Sequence, residues 1–393
     1  MRHSTKSDRI ARLLAIILTL TFFCRCSAEK NPAGTNVIPA KTNPALNETA
    51  MFLAGKELPA SSTLSAVTRE QWYKNYRADI TGAWAKFQKP NLARMADWWT
   101  AKKPRTDSKT VFYPFSGPDI MNALTLFPDG DLYILFGLEH PGRIPDATTM
   151  NDREKHAGLV GLRKSLGTIL NVNFFRTIGM AEDLGNASFN SITGILFYFL
   201  SVNDYTIIDA RRIAVDAQSS IADGIPSDDS YNWQNPAPGS RVPGIEITFR
   251  KGNGRVQKLQ YFNLNIIDMA LRTYSPHFMP YIESKGPFVT VIKSASYTMH
   301  NDRFTIIRGT ILSKSNFIVE DDSGIPIRYL TADTWKVQYH GYFNLPVPLF
   351  NEPQLRQPDL KEAVKNNSTG DLPFSYGYNV VKSVLITAEK IKK

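Results

Sequence analysis

Residues Val111–Gly142 read VFYPFSGPDIMNALTLFPDGDLYILFGLEHPG. An apolar run gives way to a Ser-Gly-Pro-Asp break, a helix-like stretch and a second apolar run, which stops at Glu139-His140. This is the outline of a strand, a turn, a crossover helix and a second, parallel strand. Open α/β sheets place their sites at the carboxyl ends of strands, so the polar residues that end these two runs are the first candidates for function. They are Ser116, Asp119, Glu139 and His140.

The same grammar recurs downstream. Phe288 to Ile292 is a β-branched run, Ser294 to Ser315 has helical spacing through Met299, Ile306, Ile307 and Leu312, and Phe317 to Val319 is a short run closed by Glu320-Asp321-Asp322-Ser323-Gly324. Further strands are expected at Arg328 to Leu330 and Trp335 to Phe343. Between the two units, Ile245, Ile247 and Phe249 alternate with Glu246, Thr248 and Arg250, and Val256 to Asn265 returns after Lys251-Gly252-Asn253-Gly254. That is a β-hairpin with glycine turn chemistry. Gly252 and Gly254 lack the third glycine and following helix of a phosphate cradle.

Several segments read as helix or loop. Trp72, Tyr73, Tyr76, Ile80, Trp84 and Phe87 fall at helical spacing up to Pro90, and Leu92 to Thr100 carries Trp98-Trp99. These aromatic stripes suit helices packed on a sheet better than an open sugar platform. Leu159 to Leu170 is a helix, Ile192 to Val202 a buried helix too short to span a bilayer, and Thr206 to Val215 a strand. Gly224 to Pro243, rich in Pro, Ser, Asp and Asn, is a surface loop. The fold expected is three-layer α/β with a mostly parallel, Rossmann-like sheet and an antiparallel hairpin extension; α+β is the alternative.

The N-terminus carries a secretory leader. Arg2, Lys6, Arg9 and Arg12 precede the apolar run Leu13 to Phe23, and Cys26-Ser27-Ala28 supplies small residues for cleavage. A run of about 11 residues is short of the roughly 20 that span a bilayer. Residues 1–28 are therefore read as signal peptide, 29–65 as a flexible arm rich in Pro, Ala, Asn, Ser and Thr, and 66–393 as a single α/β domain. The location expected is periplasmic or secreted, with a lipid anchor on the outer membrane through a leader cysteine as the alternative. Both cysteines, Cys24 and Cys26, lie in the leader, so the cleaved chain has neither disulfide nor thiolate chemistry. The leader also holds five of the 46 Lys and Arg and one of the 36 Asp and Glu, which lowers the net charge from +10 to +6. No basic cluster stands out, which argues against nucleic acid; a small-molecule or envelope ligand is the expected partner.

If the strands pair in parallel, Ser116, Asp119, Glu139, Ser294, Ser296, His300, Asp321 and Asp322 share one sheet edge. Three chemistries use such groups. Ser116 or Ser296 with His300 and Asp321 makes a nucleophile, base and orienter, although no Gly-x-Ser-x-Gly elbow is present. Glu139, His140, His300, Asp321 and Asp322 offer oxygen and imidazole ligands to a divalent cation, unless the acids before Ser323-Gly324 only cap a turn. Paired carboxylates suit glycoside hydrolysis at a defined separation. No phosphate loop, His-Glu-x-x-His, Cys-x-x-Cys or tandem repeat occurs, and no cofactor is indicated. His277 and His340 are isolated and read as packing residues.

The segments Tyr113-Pro114-Phe115-Ser116-Gly117-Pro118-Asp119, Phe136-Gly137-Leu138-Glu139, Ser296-Tyr297-Thr298-Met299-His300 and Asp321-Asp322-Ser323-Gly324-Ile325-Pro326 resemble those of a family of exported bacterial proteins of undetermined activity. The resemblance runs from about Trp72 to the end and implies export and one continuous domain. The first unit is also similar in outline to the opening of a nucleotide-binding or methyltransferase-like sheet, with Glu139 where a ribose-binding acid would stand. It departs in having Pro114-Phe115-Ser116-Gly117-Pro118 in place of a glycine-rich loop. Two function classes follow. A hydrolase, metal-assisted or not, requires Ser116, Asp119, Glu139, His300 and Asp321 to converge on one reacting centre. A non-catalytic binding protein allows them to be scattered or internally paired beside an apolar or aromatic groove, and this second class is the leading one.

Overall fold

The computed structural model describes residues 42–102, 106–174, 191–226, 231–232 and 234–391. The expected leader, the first part of the expected arm and part of the expected 224–243 loop lie outside them. Ten strands form one sheet: β1 Thr110–Tyr113, β2 Leu132–Gly137, β3 Tyr205–Val215, β4 Ile221–Asp223, β5 Val242–Lys251, β6 Val256–Asn263, β7 Phe288–Ile292, β8 Ser315–Glu320, β9 Trp335–Gly341 and β10 Val384–Lys390. Their order across the sheet is β4-β3-β5-β6-β2-β1-β7-β8-β10-β9.

The central strands β6, β2, β1, β7 and β8 pair in parallel, with Val111 opposite Tyr133 on one side and Val289 on the other. Numbered along the chain, these five read 3-2-1-4-5 across the sheet, so the order reverses at β1. Their carboxyl ends share an edge, as the opening motif requires. The expectation of one hairpin extension is corrected. The β3-β4-β5 side and the β9-β10 side are both antiparallel, because the hairpin joins the sheet through β6 and the C-terminal strand inserts between β8 and β9.

Among the described residues ten α-helices complete the layers: α1 Pro44–Leu53, α2 Gln71–Gln88, α3 Arg94–Lys102, α4 Ile120–Leu126, α5 Asp152–Val172, α6 Ile192–Val202, α7 Asp268–Thr273, α8 Phe278–Glu283, α9 Thr305–Lys314 and α10 Pro358–Asn367. Successive side chains of a strand point to opposite faces. Val111 and Tyr113 enter the core beneath α1 to α6, and Phe112 enters the core beneath α7 to α9. Both faces of β1 are therefore dry over Val111–Tyr113, which is why those three side chains are large and mostly apolar. Helix α6 is buried along its length, as its composition predicts, and α10 packs Leu360 and Val364 on Val384 and Ile386. The aromatic stripes are core: Tyr73, Phe87 and Trp99 are buried, and Trp72, Trp84 and Trp98 pack against them.

Four expectations change. Residues 44–53 of the supposed arm form α1, whose Leu46, Ala50, Phe52 and Leu53 are buried. Pro90 does not end the first aromatic helix. A π-helical turn, Lys89–Ala93, carries the chain into α3, since a wider turn accommodates the missing N–H and the ring. Asn91 donates to the Phe87 carbonyl at 3.1 Å across that turn. The helix expected over Ser294 to Ser315 starts only at Thr305; residues before it form two 3₁₀ turns and a left-handed strap. Residues 327–329 form a 3₁₀ turn rather than a strand.

Candidate functional site

The site is built at the carboxyl ends of β1, β7 and β8. After β1 the chain turns through Phe115 (φ 61°) and Gly117 (φ 50°), and Asp119 caps α4 by accepting from the Asn122 backbone N–H at 3.4 Å. Carboxylates at helix N-termini meet unpaired N–H groups and the positive end of the dipole. The Asp119 carboxylate also accepts from the Asn122 side chain at 2.8 and 2.9 Å and from the Tyr113 hydroxyl at 3.0 Å. Lys293, the first residue after β7, donates to it at 2.8 Å, with both side chains almost wholly buried. The same ammonium donates to the carbonyl of Asn173, the left-handed cap (φ 63°) that ends α5.

These contacts close the crevice where the strand order reverses, which is the usual ligand position in an open α/β sheet. Beside it stands a strained strap. Ser294, Ser296 and Tyr297 have φ of 55°, 52° and 54°, a region that costs a non-glycine residue about 1–2 kcal/mol. Three consecutive N–H groups hold it: Ser294 donates to Asp321 Oδ2 at 3.1 Å, Ala295 to Ser323 Oγ at 2.7 Å and Ser296 to Tyr378 Oη at 3.1 Å. Tyr378 donates in turn to the Ser294 carbonyl at 2.7 Å.

Asp321 is thereby accounted for. Its second oxygen accepts from the Ser323 hydroxyl at 2.6 Å and the Ser323 N–H at 3.1 Å, so it caps the turn after β8. Burial raises its pKa, and the hydrogen bonds from Ser323 and Ser294 and the charge of Lys293 pull the other way. Gly377 (φ 76°) lies on it so closely that an added Cβ would stand 2.0 Å from Oδ2. Gly377→Ala is therefore expected to destabilise the fold by about 2–3 kcal/mol, from the φ penalty and the overlap together. A urea melt with an unchanged midpoint would contradict that packing.

Asp322 faces a different environment. It accepts a hydrogen bond from the buried Tyr297 hydroxyl and forms part of the wall of a cleft of about 310 Å³, with Tyr342, Asn344, Val347, Asn379 and Lys382. Burial, reinforced by the neighbouring Asp321 carboxylate, pushes its pKa up to about 7. Glu320 is fully buried and its pKa is raised well above the carboxylate range by burial; one oxygen accepts from Ile325 N–H at 2.7 Å. A larger cleft of about 450 Å³ lies at the opposite, amino ends of the parallel strands, around Leu92, Tyr205, Lys251 and Arg255.

The five residues singled out in the sequence each engage other partners. Asp119 and Asp321 flank Lys293, and the Ser116 hydroxyl donates to the Gly117 carbonyl at 2.8 Å. Glu139 sits at the end of β2 against β6, where the Tyr261 hydroxyl donates to its carbonyl at 2.9 Å and its carboxylate at 3.4 Å. His300 lies in a 3₁₀ turn beside the Tyr297 ring, and burial lowers its pKa to about 4. Neither Ser116 nor Ser296 shares a hydrogen bond with His300 among the described residues; the Ser296 hydroxyl pairs with Tyr378 at 2.8 Å. Among the described residues no three His, Cys, Asp or Glu side chains are grouped to hold a metal ion. His340 is a packing residue, bonded to Thr369 at 2.5 Å and edge-on to Trp98. The residues missed by sequence reasoning are Lys293, Asn173, Tyr297, Tyr378 and the cleft lining. A lysine immediately after a fully buried strand of apolar and β-branched residues was the one available signal. No protein-family model, curated protein or solved structure matches this chain.

Proposed function

We propose that this chain is an exported, non-catalytic protein that binds a small hydrogen-bonding ligand in the cleft beside Asp322. The carrying observation is that the supposed catalytic groups are engaged by structural partners, whereas Asp322 with its Tyr297 partner borders an open cleft. About 310 Å³ suits a molecule of sugar or short amine size. A carboxylate there accepts from a ligand hydroxyl or amine, Asn344 and Asn379 offer both donors and acceptors, and Tyr342 supplies an aromatic face. The leader supports a periplasmic or secreted location, in keeping with the resemblance to exported proteins. The 3-2-1-4-5 order supports a Rossmann-like reading of the sheet centre, with its usual crevice filled and the cleft displaced outward along the same edge.

Calorimetric titration with glucosamine, N-acetylglucosamine and putrescine tests the reading. At least one is expected to bind, and Asp322→Asn to weaken it about tenfold, the loss of a charge-assisted hydrogen bond. Absence of binding by all three would count against a polar ligand. Turnover of a nitrophenyl glycoside, ester or phosphate that disappears in Asp322→Asn would replace it with the hydrolase reading, which the near-neutral carboxyl favours.

A further inference from the structure

Two loops form the outer lip of the cleft, residues 341–351 (GYFNLPVPLFN) and 377–383 (GYNVVKS). They carry Tyr342, Leu345, Leu349, Val380 and Val381, five of the nine large apolar side chains exposed among the described residues. Leu349 is 77% exposed and Val381 85% exposed, so these side chains project outward. The projection is built in. Asn379 Oδ1 accepts from the Val381 and Lys382 N–H groups at 3.1 and 3.0 Å, tying the second loop into a turn with its valines at the tip. Beneath the lip, Phe343 and Val384 are buried with Leu360 and Val364, so the loops stand on a packed base.

The composition of the lip identifies what covers it. Its eighteen residues contain one charge, Lys382, and no carboxylate. The Lys382 ammonium lies 4.8 Å from the centre of the Tyr342 ring, an aliphatic stem and aromatic body beneath a cationic end. Aliphatic tips with a tyrosine and a lysine at their margin match the boundary between acyl chains and head groups. The chain's positive net charge adds attraction to anionic lipid. Leu349 and Val380 lie outside the cleft wall, so a ligand seated in the cleft leaves them exposed. We propose that the 341–351 and 377–383 loops dock this protein on an anionic lipid bilayer, inserting Leu349, Val380 and Val381 among the head groups with Lys382 against the lipid phosphates.

This inference goes beyond the cleft-binding reading and fails separately from it. The test is vesicle flotation of the chain from Glu29 onward, which keeps the compact unit Thr42–Lys393 and omits the leader, whose own apolar run would bind lipid. Wild type is expected to float with equal parts phosphatidylcholine and phosphatidylglycerol, and about tenfold less with phosphatidylcholine alone. Leu349→Asp with Val380→Asp is expected to reduce binding to the mixed vesicles at least tenfold, with an unchanged thermal melt and an unchanged cleft titration. Three results would overturn the proposal: no flotation of wild type, equal flotation of the double variant, or a wild-type dimer in sedimentation velocity that the double variant dissolves.

Discussion

Lys293→Met should cost this protein about 3–5 kcal/mol of unfolding free energy. The ammonium removed is 1% exposed and donates to Asp119 and to the Asn173 carbonyl, so its loss strands a buried carboxylate at the centre of the fold. Methionine fills much of the volume and replaces neither donor. The companion Asp119→Leu loses the α4 cap and strands the ammonium in turn, with a penalty of similar size. The double variant should lose less than the two singles combined, because the second change removes the charge that the first left unpaired. Urea denaturation of the four proteins measures the cycle. Additive penalties would mean that the two groups do not stabilise each other, and Lys293→Met with wild-type stability would remove the pair from the list of structural elements. A ligand-binding role for Asp119 predicts the opposite pattern, in which stability holds and affinity falls.

That pair shows where the sequence was readable. The Val111–Gly142 unit is locally determined: short apolar runs, a Pro-Asp helix start and a crossover too short for anything but one small helix give β1, α4 and β2 in order. The hairpin at Gly252 and the buried helix α6 are local in the same sense. The strap at Ser294–Tyr297 is not. Its left-handed residues are held by Asp321, Ser323 and Tyr378, which lie 27, 28 and 82 residues away along the chain. Helical spacing through Met299, Ile306 and Ile307 persists across this stretch because those side chains share a core, although the backbone between them is irregular. Strand β10 belongs to the same class: its insertion between β8 and β9 is a non-local pairing that no local pattern announces.

The candidate site divides along the same line. Strand-end polar residues were correctly placed on one edge, since parallel pairing of β1, β2, β7 and β8 puts them there. Their partners decided what they do, and those of Asp119 and Glu139 lie more than a hundred residues further along the chain. Asp119 is neutralised by a lysine 174 residues later, and Glu139 is held by a tyrosine 122 residues later. The group left bordering a cleft is Asp322, which the sequence offered only as an edge residue and cation ligand, because alternate residues after β8 point in different directions. Asp321 turns inward to the strap, and Asp322 turns toward Tyr297 and the cleft.

Asp322 should therefore contribute to the pH dependence of stability across one window, alongside the buried Glu320 and Asp321 carboxyls, whose pKa values burial also raises. Its ordinary pKa of 3.8 rises to about 7 in the fold, chiefly through burial and then through Asp321. The folded state binds this proton more tightly than the unfolded chain, so raising the pH from about 4 to about 7 favours unfolding. The penalty is absent below the lower value and complete above the upper one. About three units correspond to roughly 4 kcal/mol at most. His300 acts with the opposite sign. Its pKa falls from 6.5 to about 4 through burial, so the folded state resists protonation and stability is lost as the pH drops across that range. These trends overlap in wild type with those of Glu320, Asp321 and His340, and the Asp322→Asn variant isolates the Asp322 contribution. It keeps an acceptor for Tyr297 and removes the titrating group, so it should match wild type near pH 4 and exceed it by a few kcal/mol above pH 7. The gap between the two urea midpoints should open steadily across the window while the His300 contribution cancels in the difference. Parallel curves from pH 4 to 8 would show that Asp322 is charged and solvated at neutral pH. The cleft would then recognise its ligand through a permanent negative charge, and affinity for putrescine would stay level with pH instead of rising as Asp322 ionises.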